Sequence, residues 1–414
     1  MASPSGTAGL WRATFTLLAG GAFAQALPLL LGPWLARVYA PEQWGHYTAF
    51  AAVAANLAVV ACARYEFALP LARDDAEAAL LLALCLRVLG AVTLLSGVIA
   101  LVLVAFDSLP HAAWLPLAVG VAGAAQLFAM WATRAQRFKA LAAGRVVQQG
   151  GGVLVQSLAG AAHAGTLGLV LGPVAASAAA TLLLRQPAPQ GGWRSLWHTP
   201  WAALRGVMSK HREFPLLNTP HAFAGALQDT LAVALLAAGS GEAAVGFWGL
   251  ALRYLKAPAT LVGASVSQAL YPKLATAGPA EARAAVQQVM KALALVAVPL
   301  MLLLLAAGPA LFAWAFGERW REAGELSRAL APYIAAHFVA SPLAVVTLAW
   351  RAQAWALRLA LVGQVSFVIA LLLGQHLGGL LGAAWAVSAA MVLYFGWYFW
   401  KLATWTEVPD AAKH

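Results

Sequence analysis

Long apolar runs, nearly free of charge, alternate along this chain with short polar stretches. Twelve runs are long enough to cross a bilayer: residues 14–36, 45–69, 79–106, 111–132, 142–162, 164–184, 215–238, 245–270, 287–307, 327–349, 354–374 and 378–400. About 20 apolar residues span the hydrocarbon as a helix. Backbone polar groups in lipid must be satisfied within the segment, so each run is predicted to be α-helical. The short alternating strands of an outer-membrane barrel are absent from the pattern. The expected fold is an all-α polytopic membrane protein with twelve transmembrane helices.

Composition excludes the alternatives. Hydrophobic residues make up 62% of the 414 residues and charged ones 10%, against about 45–50% and 25% in soluble domains. Mean hydropathy is +0.76. So few charges cannot cover a soluble protein of this size. The first apolar run is long enough to span, so it reads as a retained helix rather than a signal peptide. Cys62 and Cys85 lie in or near apolar runs, and metal-ligand spacing is missing, so neither a disulfide nor a metal site is expected.

The net charge of +11 would suggest nucleic acid in a soluble domain. In a membrane protein Lys and Arg instead gather in cytoplasmic loops. With the N-terminus inside, 18 of the 26 Lys and Arg fall on the inner side, 4 outside and 4 within spans. Both termini are therefore expected in the cytoplasm, and no nucleic-acid partner is expected.

The chain divides into residues 1–184 with six spans, a cytoplasmic linker 185–213, and residues 214–414 with six more. Trp193, Leu196, Trp197, Trp201, Leu204 and Met208 recur at helical spacing in the linker, among Arg194, Arg205, Lys210 and Arg212. That spacing predicts an amphipathic helix on the inner leaflet, although Pro200 interrupts it. A weak repeat relates the halves. Pro41-Glu-Gln-Trp-Gly45-His-Tyr47 leads into the second span as Glu242-Ala-Ala-Val-Gly246-Phe-Trp248 leads into the eighth. Transporters built from parallel repeats place their site between the halves.

No Walker loop, dinucleotide fingerprint, zinc-protease motif or paired acidic motif is present, so no catalytic residue or cofactor is expected. The informative groups are ionisable residues within spans, each costing at least about 2.5–3.5 kcal/mol to insert. Arg253 and Lys256 are three residues apart in span eight and share a face. Pro258 favours a kink beyond them. Asp229 lies in span seven, at a depth of about 21 Å from the inner face, like Lys256. A cationic patch for an anionic substrate, with Asp229 as charge partner or protonatable coupling group, is one reading. A buried ion pair that only fixes packing is the other. Arg64 and Glu66, at the end of span two, read first as an interfacial anchor.

Several of these segments resemble Wzx-type oligosaccharide flippases. Gly32-Pro-Trp-Leu-Ala-Arg37-Val-Tyr-Ala-Pro41-Glu-Gln-Trp-Gly45-His-Tyr47 is similar to their first hairpin, and Arg64-Tyr-Glu66-Phe-Ala-Leu-Pro70 to the end of their second helix. Arg134-Ala-Gln-Arg-Phe-Lys139 resembles their fourth-to-fifth loop. Phe214-Pro-Leu-Leu-Asn-Thr-Pro220 resembles the seventh helix, and Gly246-Phe-Trp-Gly-Leu-Ala-Leu-Arg253 the eighth. The resemblance implies the multidrug, oligosaccharidyl-lipid and polysaccharide exporter superfamily, with two six-helix lobes around a central V-shaped cavity. It implies alternating-access movement of undecaprenyl-pyrophosphate-linked repeat units from the cytoplasmic to the periplasmic leaflet of a bacterial inner membrane. Such a step serves lipopolysaccharide O-antigen, capsule or exopolysaccharide synthesis, is driven by H+ or Na+, and operates beside a polymerase and a chain-length regulator. By position, Arg64, Arg253 and Lys256 match the family's cavity cations, which would bind pyrophosphate, with Asp229 and Glu66 as acidic partners.

Two rivals remain. A cation-coupled multidrug exporter of the same superfamily needs acids for a cationic drug, whereas the buried balance here is basic. A membrane polymerase or glycosyltransferase normally shows a large outer loop, and the longest one expected here, 308–326, is short.

Overall fold

The computed structural model describes residues 5–185, 192–350 and 352–405, in fourteen α-helices. The expectations for the two chain ends, for residues 186–191 and for Arg351 lie outside the described residues. The helices are α1 (Ser5–Val38), α2 (Pro41–Ala58), α3 (Asp75–Ala105), α4 (Leu115–Arg134), α5 (Phe138–Val146), α6 (Gly152–Ala161) and α7 (Gly165–Leu184). They continue as α8 (Gly192–His198), α9 (Trp201–Lys210), α10 (Thr219–Ser240), α11 (Glu242–Thr276), α12 (Pro279–Phe316), α13 (Arg321–Ala349) and α14 (Gln353–Ala403). No strand occurs among the described residues. The protein is an all-α polytopic membrane protein.

Seven helical segments are long and apolar enough to cross a membrane. Six match one predicted span each, and Ala354–Ala403 covers the last two. α14 breaks at Gly378 and Gly379, the latter at φ 60, ψ −147. Only glycine takes that backbone readily, and the chain doubles back there. The remaining predicted spans fall on α1, α2, the α5–α6 stretch (joined by a π-helical turn, Val147–Gly151) and α11. Leucines such as Leu94, Leu101, Leu295 and Leu393 are largely exposed, as lipid-facing positions are.

The second span departs from its prediction. α2 ends at Ala58, and the chain passes through turns into a 3₁₀ helix, Tyr65–Leu71. Ala63 (φ 48) and Arg64 (φ 63) are left-handed, at about 1–2 kcal/mol each for residues carrying a Cβ. Arg64 and Glu66 therefore sit in a tight re-turn rather than at the end of a continuous helix. Hydropathy alone does not register this break, because the residues stay apolar through it.

The chain divides into two compact units, Met1–Tyr39 with His46–Thr230, and Ala40–Gly45 with Leu231–His414. In the first, small residues let helices approach closely. The Tyr39 hydroxyl donates to the Gln156 carbonyl at 2.7 Å, and Gln156 Nε2 donates to the Leu169 carbonyl at 2.8 Å. Buried Tyr65, Leu69, Leu81, Cys85 and Leu127 form a core. Leu196, Leu204 and Val207 join that core from the linker. The linker is not one continuous helix. It is two short helices, α8 and α9, separated at Thr199–Pro200; Leu196, Leu204 and Val207 are buried in protein, while Trp197 and Trp201 are exposed. Arg87 donates to the carbonyls of Trp197 and Thr199 and stacks on Trp201. Glu77 pairs with Lys210 and His211.

In the second unit α13 packs against α11, α12 and α14. Pro332 lies inside α13, and Tyr333 N donates to Ser388 Oγ of α14 at 3.1 Å. The first turn of α2 groups with this unit although its remainder does not, so the observed division differs from a boundary at the linker.

Candidate functional site

The candidate site is built on α11. Arg253 and Lys256 are both half-buried there, one turn apart on a helix of otherwise apolar facing. The guanidinium carbon of Arg253 lies 5.7 Å from the centre of the Trp44 ring. Trp44 is 2% exposed and meets Trp320 edge-on at 6.0 Å, and Trp320 meets Phe247 at 5.8 Å. The adjacent Tyr254 packs on Phe316 at 4.6 Å. The aromatic wall thus holds the cation by its ring face. Among the described residues no carboxylate is seen paired with Arg253.

Lys256 lies within electrostatic range of His337 on α13. His337 stacks on Tyr333 at 6.0 Å and on Phe395 at 6.1 Å. Neither Trp44 nor His337 was distinguishable in the sequence. Trp44 is one of 17 tryptophans and His337 one of nine scattered histidines, and only the fold brings them to α11.

The start of α11 meets the start of α2. A Cβ placed on Gly45 would overlap the Glu242 carbonyl, and one on Gly246 would overlap the Pro41 carbonyl. The repeat seen in the sequence is therefore a reciprocal contact between its own two copies. Each helix has an acid in its first turn, Glu42 and Glu242, which offsets the two positive helix ends brought together here.

The acidic candidates and Arg64 lie in the other unit. Asp229 is exposed on α10. The Arg64 guanidinium lies over the Phe67 ring at 5.1 Å, and its Nε is buried without a hydrogen bond. Glu66 is 4% exposed, and its Oε2 likewise has no hydrogen-bond partner. Cys62 and Cys85 are buried free thiols. No cluster of three or more metal-ligating side chains occurs among the described residues.

The profile of the family described as polysaccharide biosynthesis protein matches residues 75–325, more than half of the chain. The chain belongs to that family. Its fold is similar to that of the lipid II flippase MurJ in an inward closed conformation, with TM-score 0.68 and 12% identity over 95% of this chain and 89% of that one. A multidrug-resistance MATE family transporter of the MOP superfamily, inward-facing, aligns with TM-score 0.64 and 12% identity over 94% and 93%. A MOP superfamily transporter from Pyrococcus furiosus, whose binding pocket is described as reversed in polarity, aligns at 0.57 with 13% identity over 94% and 96%. No curated protein matches the chain. Family and fold bear out the resemblance to Wzx-type flippases. The similar solved structures are a flippase and transporters, not enzymes.

Proposed function

We propose that this polysaccharide-biosynthesis family member is a flippase for a lipid-linked oligosaccharide. In this reading undecaprenyl-pyrophosphate-linked repeat units pass from the cytoplasmic to the periplasmic leaflet of the bacterial inner membrane, with both termini cytoplasmic. Arg253 and Lys256 bind the pyrophosphate by alternating access, and Arg64 is a further candidate cation. The observation that carries the reading is the Arg253–Trp44 contact. A cation–π contact contributes about 0.5–2 kcal/mol, less than the roughly 2.5–3.5 kcal/mol that inserting an arginine costs. An anionic substrate makes up the difference. A lipid pyrophosphate has the complementary charge, and fixed cations replace hydration that hydrocarbon cannot supply.

The crossing at Gly45 and Gly246 supports an alternating cycle. The two helix starts approach backbone to backbone there, and the cycle we propose opens and closes this contact. Asp229 and Glu66 are the acids available for coupling to a proton or sodium gradient. The multidrug-exporter reading finds its support in exposed Asp229, but it leaves the two α11 cations without a role.

The test is substrate binding. Purified protein in nanodiscs should bind a short-chain lipid pyrophosphate oligosaccharide, and Arg253→Ala should weaken that binding at least about tenfold, one charge-assisted contact. Equal binding by the parent and by Arg253→Ala would refute the proposed site.

A further inference from the structure

The hairpin of α14 carries a groove that includes neither of the α11 cations. It lies between the two halves of the helix, with a cavity volume of about 650 Å³, within the range of roughly 300–1,000 Å³ common for ligand sites. One wall is Trp355, Arg358, Val362 and Ser366, spaced to share a face of the first half. The other includes Leu393, Tyr394 and Trp397 of the second. Val362, Leu393 and Trp397 are 58%, 76% and 47% exposed, so the groove opens sideways toward lipid. Arg358 is the one charged residue of the lining, which holds no acid.

The end holding Arg358 is rich in aromatic rings and cations. Trp355 stacks on Tyr398 at 6.0 Å and meets Trp405 at 4.9 Å. Lys401 Nζ lies 5.6 Å from the centre of the Trp405 ring. Tryptophan and tyrosine gather at the headgroup level of a bilayer, and nearby Lys and Arg attract anionic headgroups. From Trp355 to Ser366 the groove runs about 16 Å along the helix. That is close to half of the roughly 30 Å hydrocarbon core. An acyl chain reaching one leaflet deep matches this length, whereas a long polyprenyl tail would overrun it.

We propose that this groove binds one anionic phospholipid of the bilayer, with its phosphate on Arg358 and one acyl chain between the halves of α14. Its role is to seat the hairpin in the leaflet, separate from the α11 cations.

Native mass spectrometry of the detergent-purified full chain, with phosphatidylglycerol as the probe, tests this. The protein should retain one phosphatidylglycerol with about a fivefold preference over phosphatidylcholine, the effect of one basic residue at a headgroup. Arg358→Gln should remove the preference while some lipid remains. Val362→Trp should fill the groove and remove the tightly held lipid. Leu377→Trp, at an exposed position outside the groove, should retain it. Undiminished phosphatidylglycerol binding by Val362→Trp, or an unchanged preference in Arg358→Gln, would overturn the proposal. So would displacement of phosphatidylglycerol by an equal concentration of undecaprenyl phosphate, which would assign the groove to the carrier instead.

Discussion

Gly45 and Gly246 pack against each other so closely that neither position has room for a Cβ. An added carbon on Gly45 would stand 3.3 Å from Gly246 N, and one on Gly246 would stand 3.1 Å from Gly45 N, in addition to its overlap with the partner carbonyl. The contact is reciprocal, as a repeat related by a local two-fold axis requires. Immediately before Gly45, Trp44 covers Arg253. The glycine crossing and the candidate cation are therefore mechanically joined.

The first prediction follows from that crossing. Overpacking a tight contact costs about 1–3 kcal/mol. Gly246→Ala and Gly45→Ala should each lower the population of the closed contact about tenfold, and transport with it, while the protein still inserts. Cysteines placed at Gln43 and Ala244 should cross-link less readily in either alanine variant. Parental cross-linking together with parental transport would show that the contact is not part of the cycle.

A second prediction separates binding from packing on α11. Lys256→Ala should reduce export strongly, and Lys256→Glu should reduce it further, because a like charge then faces the pyrophosphate. Trp44→Ala should cost about 3–5 kcal/mol of stability from its buried position, whereas Trp44→Phe should keep the fold and part of the activity. Glycan export, normalised to membrane protein level, reads both. Equal export by the two Lys256 variants would reduce that residue to a packing role.

Much of this architecture could be read before folding, and the reason is physical. Hydrocarbon demands long apolar helices, so the run lengths in α3, α7, α12 and α13 are visible directly. The Pro41–Gly45 and Glu242–Gly246 repeat was also visible, but not that its two copies touch. Contacts distant in sequence were hidden. Trp44 and Arg253 are brought together across more than 200 residues, and Arg87, placed in a span by hydropathy, turns out to hold the linker carbonyls. The break after Ala58 was hidden too, since turns made of alanine, cysteine and valine look like helix to a hydropathy count. Arg64 and Glu66 were singled out for their charge, not for the strained turn that carries them.

The third prediction concerns the linker. Glu77 holds α9 through Lys210 and His211. Glu77→Gln should loosen α9 and expose Arg205, Lys210 and Arg212 to trypsin several-fold faster in inside-out vesicles. Arg87→Gln, which releases the carbonyls of Trp197 and Thr199, should have a similar effect. Unchanged cleavage in both variants would show that apolar burial of Leu204 and Val207 alone anchors the linker.

The fourth concerns the energy source. Asp229 is exposed on a helix within a span, and Asn at that position keeps the shape but cannot titrate. Transport by Asp229→Asn should lose its dependence on the proton gradient while lipid binding persists. Glu66→Gln should leave that dependence in place. If Asp229→Asn responds to the gradient as the parent does, the coupling group lies elsewhere.

The fifth concerns orientation. With 18 of the 26 Lys and Arg on the inner side, the linker should face the cytoplasm. In a protein lacking Cys62 and Cys85, Ser195→Cys should react with an impermeant thiol reagent in inside-out vesicles but not in intact cells. Labelling in intact cells would invert the topology.

The central claim is that fixed cations on α11 carry an anionic lipid across the membrane. It is tested most directly in proteoliposomes holding a fluorescent lipid-pyrophosphate oligosaccharide, by following its loss from the leaflet reached by an impermeant quencher. The parent protein should equilibrate the lipid between leaflets, and the double variant Arg253→Ala with Lys256→Ala should slow this to the rate of protein-free vesicles. Flipping at the parental rate by the double variant would contradict the account.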